Sequence, residues 1–129
     1  MIYIVLNIGA IAAATVLGLV IGGLWLAAAR LPRPGLPVLA TIALAEFWLA
    51  AILAGALILA PREAGAWVMA LGSAVVIWIG FVVPVLWVTL TSLGQAKGRT
   101  LAAMLYWLVV IIGQAAIMQA IGLVPPPAT

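Results

Sequence analysis

The sequence predicts an all-α fold, an integral membrane four-helix bundle, and three observations carry that reading. Hydrophobic residues make up 69% of the 129 residues and charged residues 5%, too few charges to cover a body of this size folded in water. Four apolar runs each supply the roughly 20 residues that cross about 30 Å of hydrocarbon. The runs do not alternate polar with apolar, which excludes barrel strands, and in lipid the backbone must then satisfy itself within helices. The mean hydropathy of +1.45 also excludes intrinsic disorder, which needs low hydrophobicity and high charge.

The spans are predicted near Ile2 to Ala29, Pro37 to Ala60, Ala66 to Leu93 and Leu101 to Leu123, within one transmembrane unit of residues 1–129. Leu31-Pro32-Arg33-Pro34-Gly35 and Pro61-Arg62-Glu63-Ala64-Gly65 separate the first three, and Gly94 with Gly98 brackets the third gap. Val124-Pro125-Pro126-Pro127 cannot continue a helix. The first run reads as a retained span, not a cleaved signal peptide. It has no Lys or Arg at its amino end, and its apolar stretch exceeds the usual signal core of about 7–15 residues.

Loops one and three carry Arg30, Arg33, Lys97 and Arg99, whereas loop two carries Arg62 offset by Glu63. The positive-inside rule then places loops one and three in the cytoplasm and both termini outside, across the inner (plasma) membrane of a bacterium. Tyr3, Trp67 and Trp87 suit the interfacial belt, while Trp48, Trp78 and Trp107 lie deeper. Four basic residues split between two loops give a weak preference for anionic lipid headgroups and no nucleic-acid surface.

The chain has no Cys and no His. Disulfides, thiolate or imidazole metal sites, Cys nucleophiles and His proton relays are therefore excluded, and no metal or cofactor is predicted. There is no phosphate-binding glycine loop, and Thr91 and Ser92 have no partner base. An enzyme is not expected.

Small residues at Ala10, Ala14, Gly18 and Gly22 recur every fourth position along helix one, a stripe that lets another backbone approach closely. Its simplest use is contact with a neighbouring span, with dimerisation as the alternative. Ala51 and Gly55 share that spacing in helix two. Gly80 and Pro84 in helix three are four apart, so the proline ring meets the Gly80 carbonyl. A kink near Gly80 follows, serving either helix packing or a ligand-adjacent break.

Glu46 is the one ionisable side chain inside a span, about nine residues and hence about 13 Å from the loop-one end of helix two. A carboxylate at that depth costs on the order of 3 kcal/mol, so the neutral acid or a paired carboxylate is required. Its candidate partners are Gln114 and Gln119 in helix four, Ser73 in helix three, and Asn7 and Thr15 in helix one; depth favours Gln114 and Thr15. Either Glu46 and Gln114 glue helices together for about 0.6–2 kcal/mol, or they form a proton or cation site.

Gly22-Gly23-Leu24-Trp25, Trp78-Ile79-Gly80-Phe81, and Arg99 followed by Leu105-Tyr106-Trp107 resemble the small four-span bacterial membrane family catalogued as domain of unknown function 1761. The resemblance spans nearly the whole chain and implies a four-span fold with no activity attached. Small multidrug transporters are similar in physical type only: they also pair four short helices with one mid-membrane Glu, but in their first helix.

Two functional readings follow. The first is a non-enzymatic multi-pass membrane protein, a small structural or accessory component, with membrane lipids and a homo-oligomer or larger membrane complex as partners. The alternative is a proton-coupled small transporter of hydrophobic compounds working through Glu46. An accessory protein predicts no polar cavity, and a carrier predicts a reachable pocket at Glu46.

Overall fold

A computed structural model describes residues 1–128 of the chain, and among them there is helix and no strand. The elements are α1 (Ile2–Leu6), α2 (Ile8–Ala28), α3 (Leu36–Leu59), α4 (Ala66–Ile77), a π-helical turn (Trp78–Val82), α5 (Val83–Ser92) and α6 (Lys97–Ile121). Four helices, Ile8–Ala28, Leu36–Leu59, Ala66–Ser92 and Lys97–Ile121, are long and apolar enough to cross a membrane. The protein is an all-α, multi-pass membrane bundle.

Two span limits differ from the sequence reading. The first span is interrupted at Asn7, whose backbone sits at φ −113° and ψ 18°. Asn amides compete with helical hydrogen bonding, and this one is recruited elsewhere. Asn7 Nδ2 donates to Tyr3 O and to Val124 O, each at 2.8 Å, and Val124 N–H donates to Asn7 Oδ1 at 2.7 Å. The side chain thus closes a two-bond amide pair with the segment that follows Gly122, where the chain turns out of α6 at φ +91°. The fourth span begins at Lys97, not Leu101, so Gly98 and Arg99 lie in the first turn of α6. A helix that extends beyond the hydrocarbon carries its charges into the headgroup zone without breaking its own ladder.

The loops at the other two helix ends share one cap. After α2, Leu31 N–H donates to Leu26 O and Arg30 N–H to Ala27 O. After α5, Gln95 N–H donates to Leu90 O and Gly94 N–H to Thr91 O. Both are Schellman motifs, which need a left-handed residue just past the helix. Gly94 supplies it at φ +69°, and Arg30 does so at φ +54° despite its Cβ.

Pro84 has no N–H for the Gly80 carbonyl, and its ring crowds that oxygen. The backbone widens instead of breaking: Val83 N–H donates to Trp78 O, five residues back. Gly80 and Pro84, read from their spacing as packing residues, both face outward, and a Cβ on Gly80 would meet nothing within 4 Å. Their effect is on backbone path, not on a helix interface.

α6 packs against α2 on one side and the third span on the other, and α3 packs mainly on α2. The core is alanine-rich: Ala10, Ile11 and Ala14 meet Ala50, Ala51, Leu53 and Ala54, with Ile111, Ala115 and Met118 from α6. Small side chains let backbones approach, which is the main source of helix attraction in lipid. Every buried residue of α2 lies between Ala10 and Gly18, and every buried residue of α3 between Glu46 and Ala54. α2 and α3 therefore close on each other at the loop-two end and splay apart toward loop one, while α6 stays buried at Thr100 and Met104 near loop three.

Candidate functional site

Glu46 stands at the border between the closed and splayed halves. It is 3% exposed, at the first buried position of α3, with the alanine core on one side and open groove on the other. From α6, Gln114 Nε2 donates to Glu46 Oε2 at 2.8 Å. Gln114 is fully buried because it lies on the same face as Val110 and Met118, at four-residue steps along α6. Its own Oε1 has no partner. Turning the amide over would present Oε1 to the carboxyl group, so that a neutral Glu46 could donate to it. The pair can therefore serve either protonation state of Glu46 through one amide rotation.

The remaining polar residues of the spans are placed elsewhere. Thr15 Oγ1 donates to Ile11 O at 2.8 Å in its own helix. Asn7 is held by Val124. Gln119 faces a separate cavity of about 500 Å³ at the loop-two end, beside Arg62 and Met69. Ser73 is half-buried on α4. Depth along the helices separated Gln114 from Gln119, but nothing in the sequence separated Gln114 from Thr15.

Gly18 and Gly22 form the α2 wall of the site. A Cβ on Gly18 would collide with Glu46 Oε2 and come within 2.9 Å of Gln114 Nε2, and one on Gly22 would lie 3.1 Å from the Tyr106 hydroxyl. The absent side chains are what let the carboxyl and the phenol reach the α2 backbone. Tyr106 was not singled out as a site residue, although its place eight residues before Gln114 puts it on the same helix face. Its ring packs against Trp25 with the planes tilted by 44° and centroids 5.3 Å apart, and meets Trp107 edge-on at 5.2 Å. Trp78 Nε1 donates to Met104 O at 2.8 Å. The three segments Gly22–Trp25, Trp78–Phe81 and Leu105–Trp107 thus meet around the first half of α6.

Gly18, Gly22, Trp25, Glu46 and Tyr106 border a groove of about 620 Å³ between α2 and the first half of α3. Glu46 and Gly18 lie at its deep end, Tyr106 beside Gly22 and Trp25 nearer the middle, and Arg33 and Pro34 at the loop-one end. Its walls are otherwise apolar, including Trp25, Leu39 and Ile42. Chemically, the site can hold or release a proton, or accept hydrogen bonds from a guest, at one carboxyl group. Among the described residues no three His, Cys, Asp or Glu gather closely enough to hold a metal ion. No protein family, characterised protein or solved structure matches the chain.

Proposed function

We propose that this protein is a non-enzymatic component of a bacterial plasma membrane that takes a hydrophobic small molecule from the bilayer into the groove at Glu46, with proton exchange at that carboxyl group. The observation carrying this reading is that the only buried carboxyl among the described residues also lines an apolar groove. A carboxyl that served only as glue would need no such opening, and at mid-membrane depth it would cost on the order of 3 kcal/mol unless neutral or paired. The basic loop residues Arg30, Arg33, Lys97 and Arg99 support an orientation with the groove's Arg33 end in the cytoplasm and both termini outside. The resemblance to the four-span family of unknown function 1761 is compatible with this reading and adds no activity to it.

The test is purified protein in liposomes loaded with a pH dye, challenged with gradients of hydrophobic compounds. Compound-driven proton movement that disappears in Glu46→Gln is expected. Absence of such movement with folded protein would overturn the carrier reading. A second reading, the small structural or accessory component, is favoured by one specific feature: the third span is largely uncovered by the rest of the bundle. It predicts a stable partner co-purifying in mild detergent, lost when outward residues of α5 such as Val85 and Val88 are changed to Ser.

A further inference from the structure

The chemistry of the groove narrows what it takes. Its polar groups are few and unlike: one carboxyl at the deep end, one phenol at Gly22, one helical turn along α2 from Gly18, and one guanidinium about 15 Å from the carboxyl, by the ten-residue rise from Leu36 to Glu46. α2 contributes Gly18 and Gly22 and no charged group, α6 contributes Tyr106, and Arg33 is the only cation lining the groove among the described residues; Gln114 is fully buried against Glu46. Among the described residues nothing neutralises a negative Glu46 locally, because its one hydrogen-bond partner there is an uncharged amide. The groove is therefore complete only when a proton or another positive group sits on the carboxyl.

Aromatic rings line the groove between Glu46 and its outer end. Trp25 and Tyr106 both line the groove, with ring centroids 5.3 Å apart and planes tilted by 44°, and aromatic faces attract ammonium and guanidinium groups. Arg33 opposes an anionic carboxylate or phosphate reaching Glu46, because it would hold that group at the outer end. It equally keeps a cationic head away from the outer end and so favours entry from the bilayer, head toward Glu46. We propose that the groove is a site for a lipophilic amine, whose ammonium group pairs with Glu46 and displaces the carboxyl proton. This rests on the reading of the groove as a small-molecule site and specifies its guest.

The balance of the exchange is simple. Neutral Glu46 loses its O–H proton to water at the loop-one end, the carboxylate so formed accepts N–H bonds from R–NH3+, and one proton is released for each amine bound. Gln114 Nε2 continues to donate to the carboxyl group in that state. The amine's tail lies along Leu39 and Ile42 toward the outer end.

The experiment compares three dansyl-labelled probes of equal chain length, a primary amine, an alcohol and a carboxylic acid, with the protein in unbuffered phosphatidylcholine nanodiscs near neutral pH, empty nanodiscs serving as blank. The amine is expected to bind at least about tenfold more tightly than the alcohol, releasing one proton per amine to a soluble pH dye. Glu46→Gln, with its helical signature intact, is expected to lose both the preference and the proton. Ile42→Trp, which fills the groove from a wall position that is 38% exposed and leaves the Glu46–Gln114 pair untouched, is expected to exclude the amine even if Glu46→Gln misfolds. Alcohol or acid binding as well as the amine, or amine binding without proton release, would overturn this proposal while the small-molecule site stands. No binding by any of the three probes would overturn both.

Discussion

Gly18 lies against the carboxyl group of Glu46 so closely that the position has no room for a single methyl group: a Cβ there would overlap Oε2 and approach Gln114 Nε2 to 2.9 Å. The contact joins α2 to the α3–α6 polar pair at the border between the closed and splayed halves of the α2–α3 interface. Gly18→Ala should therefore destabilise the folded protein by about 1–3 kcal/mol, the usual effect of overpacking. Combining it with Glu46→Ala should recover at least about 1 kcal/mol of the summed losses, because the colliding group is gone. Gly23→Ala, where a Cβ meets nothing within 4 Å, is the control and should leave the melting temperature in detergent unchanged or higher. Equal stability of Gly18→Ala and the parent would mean that Glu46 does not rest against α2.

Asn7→Ala removes both bonds that hold Val124 and one to Tyr3. At about 0.5–1.5 kcal/mol net for each of the three bonds, the expected loss is about 1.5–4.5 kcal/mol, concentrated at one end of the bundle. Hydrogen exchange reports it directly: the Val124 amide should become fast while the amides of Ile111 and Ala115 stay slow. A Val124 amide that remains protected in the variant would show that the Gly122 turn holds the segment without Asn7.

Arg30→Gly tests the cap after α2. Arg30 adopts the left-handed conformation that Gly94 adopts at the equivalent cap after α5, and a Cβ there costs about 1 kcal/mol. The substitution should raise thermal stability by about that amount. Orientation reporters fused to the termini should keep their side, since Arg33, Lys97 and Arg99 still mark loops one and three. A fall in stability would mean that the Arg30 side chain does more for the fold than its backbone strain removes.

Gly80→Ala should be tolerated, because Gly80 faces outward into open space. Pro84→Ala should behave differently. An N–H restored at position 84 can donate to the Gly80 carbonyl, the π-helical turn can close into an α-helix, and α5 then rotates by about 100° relative to α4. Cysteines introduced singly at Val85 and Val88, both exposed on α5, should change their labelling by a lipid-soluble maleimide in Pro84→Ala and not in Gly80→Ala. Identical labelling in the two variants would assign the turn to packing of Trp78 on Met104 instead of to proline.

The four spans, their approximate ends and the depth of Glu46 could be read from the sequence alone, because bilayer thickness sets helix length and a charge in an apolar run stands out without any fold. Depth also placed Gln114 level with Glu46, since helical rise is the same in every span. Facing is another matter. Helices apolar on all sides carry no periodic signal for which side turns inward, so the pairing of Glu46 with Gln114, the capture of Asn7 by Val124 and the outward turn of Gly80 were settled only when the helices packed. The groove belongs to that same level. It exists because the alanine contacts of α2 and α3 stop at Gly18 and Glu46 and the helices splay beyond them, a property of two surfaces in contact that neither segment holds by itself.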